Sequence, residues 1–244
     1  DRLVLIAERA LENSRLKREV SDLKVRSGTV SRMVGKSTSV NQLRQVIERV
    51  APANSRIMIT GQPGAGKELT ARMIHAASAR NSGPFVTINA ATITPETMEH
   101  ELFGSEGVGG EGRYVGKLEE AHGGTLYIDE IADMPKETQS KILRVLVEQS
   151  FNRVGGTSKV NVDVRIISSS ARDLASLIAE GAFREDLFHR LSVVPIRVPS
   201  LSERRDDIPE LINFFMEQIA TTAGLPRRKI ADDAMAILQS HDWP

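Results

Sequence analysis

The run Ile57-Met58-Ile59-Thr60-Gly61-Gln62-Pro63-Gly64-Ala65-Gly66-Lys67-Glu68-Leu69 decides how this chain folds. It opens as a short apolar strand, and Leu69, Met73 and Ala77 share one side of the helix that follows. Between strand and helix, Gly61, Gly66 and Lys67 stand at the Walker A spacing. Glycines are required because successive backbone N–H groups must turn inward around phosphate oxygens without a Cβ in the way. The helix adds the positive end of its dipole, and Lys67 is placed to reach β- and γ-phosphates. The bare pattern arises by chance in roughly one chain of this length in fifteen, so the flanking strand and helix carry the assignment. Gly61, Pro63, Gly64, Ala65, Gly66, Lys67, Glu68 and Leu69 are thus candidate contacts of ATP or ADP. The general motif follows its lysine with Ser or Thr, whose hydroxyl binds Mg²⁺, whereas Glu68 stands here. Two readings stay open: a metal held by other groups and water, or a damaged site.

Working outward, residues from about 30 to 198 alternate short apolar runs with longer helical segments, the pattern of a parallel sheet wrapped by helices. Candidate strands are 57–59, 85–88, 126–128, 164–167 and 193–198, and their continuous apolar character predicts burial on both faces. Ligands gather at the carboxyl ends of such strands. There, Gly123-Gly124-Thr125-Leu126-Tyr127-Ile128 leads into Asp129-Glu130, the Walker B arrangement. Asp129 is expected to hold Mg²⁺ through water, and Glu130 to orient and polarise an attacking water. Asp-Glu after a strand is by itself more often a solvated turn; the phosphate loop upstream favours the catalytic reading. Both parts are expected on neighbouring strand ends.

Residues 1–27 read as a polar linker helix with apolar positions Leu3, Ala7, Ala10, Leu16, Val20 and Leu23, closed by Ser27-Gly28. The α/β core is assigned to 28–199. Residues 200–244 turn helical, at 208–220 and 232–240, as the start of a helical lid. The chain has no initial Met and stops at Trp243-Pro244, so both ends read as boundaries within a longer protein.

Composition narrows the function. Thirty-two basic residues balance 32 acidic ones, which argues against a dominant nucleic-acid face in this piece. The 244 residues contain no cysteine, hence no disulfide framework or thiolate metal site. No apolar run nears the ~18–20 residues that span a bilayer, and no signal peptide opens the chain. A cytoplasmic protein with no membrane partner is expected.

Further stretches carry a family likeness: Gly66-Lys67-Glu68-Leu69, Glu101-Leu102-Phe103-Gly104, the run from Glu120 to Glu130, and Phe151-Asn152-Arg153-Val154-Gly155-Gly156. So do the run from Phe183 to Leu191 and Arg204-Arg205-Asp206-Asp207-Ile208-Pro209. From Met33 to Pro244 the chain resembles the AAA+ domain of sigma-54-dependent activators (bacterial enhancer-binding proteins), and among them the NtrX-type nitrogen-response regulators. The family's Walker A variant also carries Glu at the position of Glu68. The resemblance implies a ring-forming ATPase with active sites between subunits, so a homo-oligomer from dimer to ring. Arg184 and Arg190 match its arginine fingers, which supply ~10³–10⁵ in rate; without the likeness they would read as surface ion pairs worth under about 1 kcal/mol. Asn89 matches the residue that restrains the catalytic glutamate, and Met33-Val34-Gly35 the segment lining the adenine pocket, which adds Val34 and Gly35 to the candidate contacts. A phosphorylatable receiver, addressed by a sensor kinase, and a helix-turn-helix DNA-binding domain are implied outside the chain, with RNA polymerase a further possible partner.

Two departures qualify this. Activators that remodel sigma-54 carry Gly-Ala-Phe-Thr-Gly-Ala after Glu-Leu-Phe-Gly. Here the stretch from Ser105 to Tyr114 is shorter and polar, and lacks the Phe-Thr tip. Gly107, Gly109, Gly110 and Gly112 predict a mobile loop that is costly to order. After the fourth strand, Ser168-Ser169-Ser170-Ala171-Arg172-Asp173 replaces the family's usual run ending Thr-Asn; Ala171 has no side-chain hydrogen bond to offer, so nucleotide sensing falls to Ser170 or is lost. The lid's sensing arginine is expected beyond Pro244, which predicts slow hydrolysis by this chain. The reading is a nucleotide-dependent regulator that hydrolyses ATP as an oligomer but lacks the loop for normal sigma-54 remodelling. The alternative is a nucleotide-binding oligomerisation module with little or no hydrolysis. An unrelated remodeller such as a helicase loader fits the phosphate loop but not the later motifs.

Overall fold

The computed structural model describes residues 32–107, 112–224, 226 and 229–243. The expected linker helix at 1–27, its boundary, and the tip of the loop between Ser105 and Tyr114 lie outside the described residues. In chain order come α1 (Thr38–Val50), β1 (Ile57–Thr60), α2 (Lys67–Ala76), β2 (Phe85–Asn89), α3 (Pro95–Phe103), α4 (Lys117–Glu120) and β3 (Thr125–Asp129). A 3-10 turn (Ile131–Asp133), α5 (Lys136–Glu148), β4 (Ser150–Asn152), β5 (Lys159–Asn161), β6 (Arg165–Ser170), α6 (Leu174–Ala179) and α7 (Glu185–Leu191) follow. The chain closes with β7 (Val194–Arg197), a 3-10 segment (Leu201–Asp207), α8 (Ile208–Ala223) and α9 (Asp232–Ser240).

Ser37 caps α1 by accepting the Val40 N–H, and Val40, Leu43 and Ile47 form its buried stripe. Pro95 starts α3, where its missing N–H costs nothing. All pairings in the five-stranded sheet are parallel, in the order β2-β3-β6-β1-β7. Side chains alternate between two cores: Met58, Leu126, Ile128 and Ile166 face one, and Ile57, Ile59, Tyr127 and Ile167 the other. Leu126 is fully buried, so Leu126→Ala would cost about 2–5 kcal/mol.

Two expectations are corrected here. Burial on both faces holds for β1, β3 and β6, but β2 and β7 are edge strands exposing Thr87, Pro195 and Arg197. More important, the phosphate loop and the acidic pair do not lie on neighbouring strands, because β6 runs between β1 and β3. The carboxyl end of β6 therefore enters the site.

The antiparallel pair β4–β5 was not legible, since short strands with exposed Asn152, Lys159 and Asn161 carry little periodicity. It braces the base of the 105–114 loop. Val154 N–H donates to Gly104 at 2.9 Å, and the Ser105 and Tyr114 backbones exchange hydrogen bonds at 3.0 and 2.9 Å. Beneath them, buried Arg153 pairs with Glu106 and Glu119. Among the described residues, no helix is long and apolar enough to cross a membrane.

Candidate functional site

Gly64 and Gly66 have φ of 75° and 106°, and a Cβ on either would meet nothing within 4 Å. The backbone conformation, not crowding, is what demands glycine there. Gly61 is different, because its Cβ would stand 3.0 Å from the Val198 carbonyl oxygen. Ala65 N–H donates to Gln62 at 3.2 Å, and the loop enters α2 directly. Lys67 is 7% exposed. Its Nζ donates to the carbonyls of Gly61 at 3.1 Å and Gln62 at 3.4 Å, and pairs with Glu130 Oε1 at 2.9 Å. Glu68 is held by Arg72 one turn along the helix, at 2.7 and 3.0 Å, on an exposed side of α2. Leu69 packs half-buried against the core that also holds Ala65, while Pro63 is exposed.

The acidic strand end is held on three sides. Asp129 Oδ1 accepts from Tyr127 Oη at 2.8 Å and Ser169 Oγ at 2.5 Å, and Oδ2 accepts from Asn89 Nδ2 at 3.2 Å. Burial first, and then the Asp129 carboxylate, push the Tyr127 phenol up against the lowering effect of Ser169, so it stays a donor. Glu130 lies in the left-handed region at φ 48° and ψ 52°, a conformation that costs of order ~1 kcal/mol or more for a non-glycine residue. This turn carries its carboxylate across β6, where Oε2 accepts the Ala171 N–H at 2.9 Å.

At three of these positions the structure specifies the contacts. Asn89 contacts Asp129 rather than Glu130, because β2–β3 register pairs Asn89 with Asp129. The Ser170 hydroxyl donates to the Arg172 carbonyl at 2.8 Å within its own turn. Ala171 enters through its backbone amide. Ser169 and Tyr127 were missed as partners of Asp129, and an apolar strand pattern holds no signal for them.

Val34 is buried, and Gly35 has φ of 129°. Arg44 Nη2 binds the carbonyls of Met33 and Gly35, both at 2.7 Å. A cavity of about 390 Å³ opens beside this segment, between Met33, Gly35, Lys36, Arg44, Met73 and Glu210. Arg184 and Arg190 lie apart and exposed, at the N-terminal cap and near the end of α7, with no bond to the phosphate loop or Asp129-Glu130 among the described residues. Arg184 pairs with Asp186 at 2.7 and 3.0 Å. Arg190 has no ion pair among the described residues, and its charge bears on half-buried Arg56.

These donors fit a magnesium nucleotide. No cluster of three or more His, Cys, Asp or Glu side chains able to cage a metal occurs among the described residues. A carboxylate beside an open phosphate cradle is the setting in which Mg²⁺ keeps most of its waters and its phosphate oxygens.

A parallel sheet carrying this loop and this acidic strand end is the α/β core of an AAA+ P-loop domain. The chain belongs to the Sigma-54 interaction domain family, whose model matches residues 33–197; an AAA+ ATPase lid domain model matches 202–244. The nitrogen assimilation regulatory protein NtrX of Azorhizobium caulinodans is 65% identical over 244 residues, covering 100% of this chain and 54% of its own length. The transcriptional regulator NtrC of Azospirillum brasilense is 45% identical over 215 residues, 87% of this chain and 44% of its length. The chain thus spans about half the length of these relatives. Among solved structures, NtrX of Brucella abortus in complex with ATP has a TM-score of 0.85 at 67% identity, covering 100% of this chain and 52% of that one. Its complex with ADP has a TM-score of 0.86 at 69% identity, covering 100% and 55%.

Proposed function

We propose that this chain is the ATP-binding module of an NtrX-like two-component transcription regulator, and that it hydrolyses ATP weakly as a homo-oligomer. The observation that carries this reading is the convergence of Lys67, Asp129 and Glu130 at one end of the sheet, beside an open glycine cradle. The nucleotide complexes of the Brucella protein support it.

In this reading Gly61, Pro63, Gly64, Ala65, Gly66, Lys67, Glu68 and Leu69 form the phosphate side of the pocket, and Val34 and Gly35 the adenine side. Lys67 meets the β- and γ-phosphates. Asp129 would hold Mg²⁺ through water, and the ion would supply charge to offset that of the phosphate oxygens. Glu130 holds the attacking water once Lys67 has turned to phosphate, and Asn89 steadies the acidic pair through Asp129. Arg184 and Arg190 act on a neighbouring subunit's nucleotide. Residues 28–199 serve as the ATPase core and 200–244 as the start of the lid. The whole cytoplasmic protein adds a receiver addressed by a sensor kinase and a helix-turn-helix domain on DNA, near RNA polymerase.

The deciding measurement is ATP turnover across protein concentrations, with Lys67→Ala and Glu130→Gln as controls. Turnover equal to those controls at every concentration leaves the second reading, an oligomerisation module set by nucleotide, which the missing Phe-Thr tip also favours. That loop leads us to expect no normal remodelling of sigma-54; robust sigma-54-dependent transcription driven by the full-length regulator would overturn this expectation.

A further inference from the structure

Arg204 is bent out of the turn around it, with φ −134° and ψ 41° inside the segment Leu201–Asp207. The bend lets its guanidinium reach the phosphate loop, where Nη2 donates to the Ala65 carbonyl at 3.0 Å. Its Nε–H is buried without an acceptor, and no ion pair of Arg204 occurs among the described residues. A half-buried cation with a buried, unpaired N–H is costly to keep, and the backbone it holds is, on the nucleotide reading, the backbone that wraps phosphate.

At the end of the same segment, Asp207 is 2% exposed and binds the Lys36-Ser37 stretch that leads into α1. Its Oδ1 accepts Lys36 N–H at 2.6 Å and Ser37 N–H at 2.8 Å, and its Oδ2 accepts the Ser37 hydroxyl at 2.6 Å. The fit is tight, since a Cβ on Gly35 would stand 2.5 Å from this carboxylate. Burial pushes the Asp207 carboxyl up, but those three donors, helped by the charge of Arg204, outweigh it and hold it below the ordinary carboxylate range.

We propose that Arg204 and Asp207 form a bracket, two positioning residues on one segment that hold the phosphate loop and the 33–37 wall at the separation a nucleoside di- or triphosphate requires. The bracket rests on the nucleotide reading above, and it ties the pocket to α8, which begins at the next residue. Because it positions the loop and not the terminal phosphate, it acts equally on di- and triphosphates.

Calorimetry of the purified chain with Mg-ADP and with Mg-adenylyl imidodiphosphate tests this. Arg204→Met is expected to raise Kd about tenfold for both nucleotides, the loss of one hydrogen bond from a charged group. Arg204→Lys keeps a donor for Ala65 and should recover part of that loss, a rescue that would not follow from packing alone. Asp207→Asn should weaken both nucleotides alike. Wild-type affinity in Arg204→Met, or a loss confined to the triphosphate analogue, overturns the bracket. Lys67→Ala separates the two ideas, because undiminished binding there overturns the nucleotide reading beneath it.

Discussion

Lys67 and Glu130 are joined at 2.9 Å across β6, with side chains only 7% and 20% exposed. The cation assigned above to phosphate and the carboxylate assigned to water thus neutralise each other in this structure, and the Ala171 N–H holds the second carboxylate oxygen. On the proposed nucleotide reading, an arriving phosphate would have to separate them, and the pair would act as a latch on the loop.

Removing the latch charge should favour nucleotide. Glu130→Gln keeps an acceptor for Ala171 but loses the ion pair and its repulsion of phosphate, so ADP should bind about fivefold tighter, near 1 kcal/mol. Calorimetry with ADP avoids any effect of blocked hydrolysis. Equal affinity in the variant and wild type would mean that no latch opposes binding.

The two candidate fingers should differ. Arg184 must leave Asp186 to act elsewhere, whereas Arg190 has no ion pair to break among the described residues. Turnover per chain should rise with protein concentration, and Arg190→Ala should abolish that rise while leaving ADP affinity unchanged. A variant that retained the concentration dependence would remove Arg190 from the list of fingers.

His75 supplies a pH dependence. Burial lowers its pKa below the ordinary 6.5, Arg165 and Arg72 lower it further, and a backbone hydrogen bond with Gly83 acts the other way. The unfolded chain therefore takes up a proton near pH 6.5 that the folded chain refuses. Stability should fall as pH drops from 6.5 towards the folded value, by at most ~1.4 kcal/mol per pH unit, and be flat above it. Urea midpoints between pH 8 and 5.5 should show this slope, and His75→Gln should flatten it.

Arg165 is 2% exposed and binds carbonyls alone: Ala51 at 2.7 Å, Val50 at 3.2 Å and Ser55 at 3.2 Å. It caps the C-terminal end of α1, where a cation also meets the negative end of the helix dipole. Arg165→Met would strand these acceptors and should cost about 2–4 kcal/mol, read as a lower urea midpoint. A change within error would show that water replaces the guanidinium freely.

The chain's order of letters was enough for the strand–turn–helix at Gly61 to Lys67, for Asp129-Glu130 ending a strand, and for the parallel α/β class. Each depends on neighbours along the chain: a dihedral that only glycine adopts freely, or an apolar period. Tertiary structure decided the rest. Strand order put β6 between β1 and β3, register set Asn89 against Asp129, and chain reversal brought Arg204 and Asp207 back across 139 and 171 residues. Such pairings follow from which faces bury together over long separations, and the Ala171 amide that holds Glu130 is backbone, which no side-chain pattern encodes.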